Sequence, residues 1–258
     1  MSHDLSHDLS HSTQPLAPGH QLAARLREGT QQSHTSAENT AYMKCFLKGI
    51  VVREAFQKLL ANLYWVYDAL ETELDRLKNH PIVGQIYFPE LLRRDQLARD
   101  LAFYYGEDWP TQITPSPVTL NYLMRIHWAA SEQPERLIAH AYVRYLGDLS
   151  GGQGLRTIAR SALNLPADQG TRLHEFDSLP TPEAKRDFKM RYRDLLNALP
   201  LNESQVAGIV EEANLAFSLN RQLVESLEPV IQAAVNPAIF EEVVLQSRKG
   251  STELVSVS

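Results

Sequence analysis

From Leu22 onward, apolar residues return every three or four positions along the chain, and runs that alternate apolar with polar are almost absent. That spacing keeps apolar side chains on one helical face, so the body reads as an all-α, single-domain bundle of about eight helices. Proline and glycine punctuate it at Asn79-His80-Pro81, from Gly106 to Pro117, from Leu165-Pro166 to Gly170, at Leu179-Pro180-Thr181-Pro182 and at Leu199-Pro200. At such points a helix loses an amide donor or its conformational economy. The last predicted helix has the clearest stripe: Val206, Ile209, Val210, Ala213, Phe217, Leu223 and Leu227.

Both ends fall outside this pattern. Residues 1–19 repeat Ser-His-Asp-Leu and then turn to Pro and Gly, too polar a tract to fold by burial, and are expected to be a disordered tail. His3, His7 and His11 lie four apart. They would bind a divalent metal weakly if the tail became helical, the plainer reading being a tail without function. Residues 247–258 turn polar again and are expected to be flexible, which leaves 20–246 as the folded domain. The nearest approach to a membrane segment, from Val230 to Leu245, is broken by Asn236, Pro237, Glu241 and Glu242, so no span is expected. The first residues lack the basic end and apolar run of a secretory signal.

A net charge of −6 with well-mixed signs argues against nucleic acid or anionic lipid as partner, since both select a strong positive field. The single cysteine, Cys45, forbids an intramolecular disulfide and suits a reducing, cytoplasmic setting. It lacks the neighbours of a catalytic thiol and reads as a small buried hydrophobe.

Chemistry concentrates in three places. The segment HAYVRYLGDLSGGQGLRTIARSALNL looks helical on both sides yet contains Gly147, Gly151, Gly152 and Gly154, each costing a helix about 1 kcal/mol relative to alanine. A loop or a close helix crossing would account for them. So would a bent helix pressed against a flat ligand, where a Cβ would collide. Asp148, inside this bend, could then hold water over the ligand and govern proton delivery. In the first predicted helix, LAARLREGTQQSHTSAENT, Arg27, Gln31, His34 and Glu38 share a stripe. His34 can offer a ring nitrogen to a metal with Glu38 orienting it, although an ordinary histidine fits the same spacing. Third, EAKRDFKMRYRDLLNAL gathers Lys185, Arg186, Lys189, Arg191 and Arg193. This is either a solvated face or a site for ligand carboxylates and an acidic electron donor. Asn220, three residues after Phe217, is either a satisfied core amide or part of a buried water network. His80, His127, His140 and His174 show no partner pattern of their own.

Together these segments resemble heme oxygenase from about His20 to Leu227. YVRYLGDLSGGQ, from Tyr142 to Gln153, looks like the family's distal helix and LREGTQQSHTSAEN like its proximal helix; FKMRYR and EEANLAFSLN are similar to two further pocket segments. YMKCFLKG, IYFPEL and STEL look like the soluble cyanobacterial and plastid-type members. The resemblance implies heme b, as substrate and cofactor, held between a proximal helix and a kinked, Gly-rich distal helix. His34 would be the axial iron ligand with Glu38 beside it. Asp148 and Gly147 would act at the catalytic face, and Gly151 and Gly152 would lie against the ring. Arg27, Tyr142, Lys189 and Arg193 would fix the propionates, and Phe217 and Asn220 would border the pocket. It further implies cleavage at the α-meso carbon to biliverdin IXα, CO and Fe2+, using O2 and electrons from reduced ferredoxin. A downstream bilin reductase is a further expected partner, and the oligomeric state is open between monomer and weak homodimer.

Three positions depart from the family pattern. Val143 stands where many members have Thr, Gly154 where a larger aliphatic residue is common, and the N-terminal tail is longer than usual. Two competing readings remain. A heme sensor that binds without cleaving would have lost the distal acid, and Asp148 is present. A di-iron oxidase would use Glu-x-x-His pairs, and no histidine has Glu three residues before it.

Overall fold

The computed structural model describes residues 21–246; the Ser-His-Asp-Leu repeat with its three histidines and the C-terminal polar stretch lie outside the described residues. The all-α expectation holds, and no strand occurs among the described residues. The expectation of about eight helices is corrected to thirteen α-helical segments among the described residues, because several rods that periodicity reads as single are interrupted within their length.

Four helices build the frame. α1 (Leu22–Gly29) and α2 (Gln31–Glu38) come first, followed by α3 (Ala41–Leu47) and the long α4 (Arg53–Arg76). α1 and α2 correct the single first helix: Thr30 leaves helical geometry at φ −109°, ψ 2°, and its hydroxyl donates to the Leu26 carbonyl at 2.7 Å. This side chain competes for a backbone acceptor and bends the rod. The amide ladder still crosses the bend, from Thr30 to Leu26 and from His34 to Thr30. α4 buries Leu60, Leu63, Tyr67, Leu70 and Leu74 against α5 (Arg94–Tyr105) and α6 (Pro117–Glu132).

The breaks follow the Pro and Gly punctuation. α6 starts with Pro117 in its first turn and Ser116 Oγ accepting from the Thr119 amide at 3.3 Å; proline lacks a donor only where the first turn needs none. α10 (Pro182–Ala198) repeats the device with Thr181. α11 (Glu203–Glu225) opens on a capping box between Asn202 and Gln205. The predicted stripe is the core face of α11, with Val206, Ile209, Ala213 and Leu223 buried, and its last member, Leu227, is buried just beyond the helix. α11 is not the last helix, for α12 (Glu228–Ala234) and α13 (Pro237–Leu245) follow, split where Asn236-Pro237 interrupts the apolar run. Among the described residues no helix is long and apolar enough to cross a membrane.

The Gly-rich segment is one bent rod. α7 (Leu137–Ala141) passes into a π-helical turn, Tyr142–Leu146, then α8 (Gly147–Ser150) and α9 (Gly152–Leu163). Such wide turns recur at functional sites because they re-aim side chains within an otherwise regular helix.

α11 is tied to this rod by Glu212, which is 0 % exposed. Arg125 Nε donates to its Oε1 at 2.8 Å, Arg136 Nη1 donates to its Oε2 at 3.2 Å, and His140 Nε2 stands 3.0 Å from Oε1. Burial pushes this carboxyl up, but the hydrogen bonds and charges of Arg125 and His140 outweigh it and hold the pKa at about 2. Since the folded value lies below the ordinary one, this stabilisation is complete above the usual carboxylate range and is lost as pH falls toward 2. Glu212→Leu is expected to cost about 3 kcal/mol in urea unfolding near neutral pH, because it leaves the half-buried Arg125 and Arg136 without their shared carboxylate. The loss should shrink in acid, where the native pair itself fails.

Candidate active site

A cavity of about 380 Å³ opens between α2, α3, α4, the bent rod and α11. Its walls are largely apolar, including Met43, Phe46, Phe56, Leu59, Leu63, Leu155 and Phe217. Few polar groups enter it, so a ligand here exchanges water for a dry surface with polar groups at chosen points.

One side belongs to α2, which has no buried core residue. His34 Nδ1 is buried without a hydrogen-bond partner and stands 3.7 Å from Glu38 Oε2, while the ring meets Phe217 edge-on at 5.6 Å. An i,i+4 pairing places the carboxylate over the imidazole, an arrangement that turns the remaining ring nitrogen toward a metal.

The other side belongs to the bent rod. Gly147 and Gly151 both line the cavity. A Cβ on Gly147 would meet nothing within 4 Å, and one on Gly151 would meet only the Gly147 carbonyl oxygen, at 3.7 Å. Protein packing therefore does not require either glycine, and their bareness leaves the cradle open. Gly152 differs: a Cβ there would lie 2.7 Å from His174 Nδ1. Gly152 also lines the cavity, and there packing against His174 already requires the missing side chain. Gly154 has open space around it and is not part of the wall; nothing in the structure requires glycine there. Val143 is buried in the wall.

Asp148, 6 % exposed, reaches the cavity within a polar network. Tyr67 donates its hydroxyl to Asp148 Oδ2. Arg144 Nε donates to the Tyr67 hydroxyl at 3.2 Å, and its Nη1 donates to Asn220 Oδ1 at 2.8 Å. Asn220 in turn donates to the Tyr122 hydroxyl at 3.2 Å, so it belongs to a buried network. Burial opposes the Arg144 charge, yet Tyr67 and Asp148 hold its pKa above the ordinary value; burial pushes the Tyr67 phenol well up. The network therefore keeps a fixed cation beside a phenol that retains its proton.

The structure brings His34, Glu38, Gly147, Asp148, Gly151, Gly152, Phe217 and Asn220 to one cavity. Arg27, Tyr142, Lys189 and Arg193 are not in its wall. They form a neighbouring basic group: burial pushes the Tyr142 phenol up while Arg193 and Arg27 act against it, and Lys189 Nζ donates to Ser150 Oγ at 3.4 Å. Among the described residues, none of these three cations has a carboxylate within 4.0 Å. Unneutralised positive charge beside an apolar slot suits an amphipathic anion.

Sequence reasoning missed Tyr67, Arg144 and Tyr122, and the little weight given to His140 and His174 is corrected. His140 is fully buried on Glu212, and His174 lines the cavity 3.9 Å from Asp148. Cys45 is a free, fully buried thiol whose pKa burial pushes up, as expected of a packing residue. No cluster of three or more His, Cys, Asp or Glu side chains suited to a metal ion forms among the described residues, as a di-iron centre would need. The His34 imidazole, an uncovered glycine cradle and apolar walls instead fit a flat ligand bringing its own metal.

Comparison with known proteins agrees. The family model for heme oxygenase matches residues 20–226. The chain is 57% identical over 237 residues to heme oxygenase 2 of Synechocystis sp., covering 92% of this chain and 95% of the relative. It is 47% identical over 222 residues to heme oxygenase of Porphyra purpurea, covering 86% and 93%. The crystal structure of the Synechocystis heme oxygenase-2 in complex with heme and NO superposes with a TM-score of 0.89, over 90% of this chain and 96% of that one. With a cavity of the required chemistry and similarity along nearly the whole folded body, the chain belongs to the heme oxygenase family.

Proposed function

We propose that the cavity takes heme b as both substrate and cofactor and opens it at the α-meso carbon, giving biliverdin IXα, CO and Fe2+. The observation that supports this best is the opposition, across one apolar slot, of a carboxylate-backed imidazole at His34 and an uncovered glycine face beside Asp148. Bound there, heme supplies the iron at which O2 is reduced and is the molecule cut.

The protein's part follows from its own groups. His34 would bind the iron through the ring nitrogen that Glu38 does not face. A neutral imidazole gives a bound oxygen less push toward bond splitting than a thiolate would. Gly147 and Gly151 let the backbone approach the ring. Asp148, held by Tyr67 and neighbouring Arg144, keeps a water and a proton at the oxygen side. Phe217 and the leucine walls exclude bulk water. Arg27, Tyr142, Lys189 and Arg193 would fix the propionates and so choose which meso carbon lies under the oxygen. The remaining exposed cations of α10, Arg186 and Arg191, suit an acidic donor, for which reduced ferredoxin is proposed. A bilin reductase would consume the product, and the cytoplasm would be the setting.

The test is a single turnover of protein loaded with one equivalent of heme, with ferredoxin, its reductase and catalase in air. Loss of the Soret band with biliverdin IXα as the extracted product supports the reading; heme that binds and survives refutes it. A second outcome is specific to the cradle. Gly147→Ala should leave the heme-free protein as stable as before, or up to about 1 kcal/mol more so, while weakening heme affinity measured by titration. Equal affinity would remove Gly147 from the ligand face.

A further inference from the structure

His174 sits on a three-residue 3-10 turn, Arg172–His174, and the fold spends several buried contacts holding that turn in place. Asp100, fully buried on α5, accepts from the Arg172 and Leu173 amides at 2.8 and 2.9 Å. Gln153 Nε2 donates to the His174 carbonyl at 2.9 Å. The Arg93 guanidinium donates to the carbonyls of Leu173 and Glu175. Gly152 gives up its side chain where the imidazole lies. The ring so placed lines the cavity, and its Nδ1 is buried with no hydrogen-bond partner among the protein groups. A wall that needed only volume would be met by leucine or phenylalanine without an unsatisfied nitrogen, which costs free energy when buried.

Asp148 presents the complementary need. Its Oδ2 accepts from Tyr67, but its Oδ1 stands 3.9 Å from His174 Nδ1 and 3.8 Å from Arg144 Nη2. Both separations are too long for a direct hydrogen bond, and short enough for one water lying beside the pair to bond both groups. We propose that His174 is a positioning residue, whose Nδ1 joins Asp148 Oδ1 in holding and orienting one water at the ligand face. This rests on the reading of the cavity as a heme site. The charged groups acting on the imidazole are Asp148 on α8, Arg144 on the π turn, Arg93 before α5 and Arg156 on α9. With burial dominant, its pKa falls to about 4. The ring is therefore neutral at physiological pH and can take either role toward water, donor or acceptor.

The experiment compares wild type, His174→Phe and His174→Asn, each loaded with heme. It measures heme affinity, the midpoint of the acid–alkaline transition of the ferric complex by visible absorption, and single-turnover biliverdin formation. Phenylalanine should keep heme affinity within about threefold, shift the midpoint by about half a pH unit or more and slow conversion about tenfold. Asparagine, with a polar atom near the place of Nδ1, should recover much of both. A His174→Phe protein with wild-type midpoint and rate overturns the proposal, as does an asparagine variant as altered as the phenylalanine one. Where phenylalanine prevents folding, His174→Met replaces it with the same outcomes. Failure of the wild type to bind or open heme would instead overturn the underlying functional reading.

Discussion

His34→Ala abolishes heme opening, with single-turnover conversion falling by at least about three orders of magnitude and the absorption spectrum losing the signature of an imidazole-ligated iron. The expectation is this severe because no other imidazole stands on that side of the cavity among its lining residues. The fold should be indifferent. α2 contributes no buried core residue, and His34 is 30 % exposed at its side chain, so the heme-free variant should melt with the wild type. Added imidazole, small enough for the space the ring leaves, should return part of the activity. Full turnover without it would show that the ligand lies elsewhere.

Asp148→Ala produces the second large effect and separates binding from chemistry. Heme should still bind, because neither His34 nor the basic group around Tyr142 is touched, but biliverdin per heme consumed should fall about 10²- to 10⁴-fold, the range for a lost proton-handling group. Removal also strands the Tyr67 hydroxyl in a buried position, costing about 1–3 kcal/mol of stability. Asp148→Asn, which retains an acceptor for Tyr67, should recover the stability and not the yield. A normal biliverdin yield from Asp148→Ala would exclude the carboxylate from the reaction.

What the sequence disclosed depended on how locally each feature is written. Helical class, the Pro and Gly breaks and the α11 stripe are repeated over many residues, so periodicity exposes them. His34 and Glu38 are legible because their pairing spans one helical turn. Gly147 and Gly151 announce themselves by their cost to a helix. Tyr67 and Asp148 are 81 residues apart in sequence, and nothing near either one signals the other. His174 is harder still, as its place depends on Asp100, Gln153 and Arg93, three anchors scattered along the chain. The bend at Thr30 escaped because α2 buries no apolar face whose phase would reveal it, and the wide turn in the distal rod because it preserves the apolar rhythm on either side and changes only its phase.

That change of phase has a use. Each residue of an α-helix advances roughly 100° about the axis and 1.5 Å along it, so the π turn at Tyr142–Leu146 works as a mechanical offset between two faces of one rod. Upstream, His140 must meet Glu212 on α11; downstream, Asp148 and Gly151 must meet the cavity. A straight helix of the same sequence one residue shorter could index one of these faces and would rotate the other away. Deleting a single residue from the turn should therefore force a choice between a sound core and a working site.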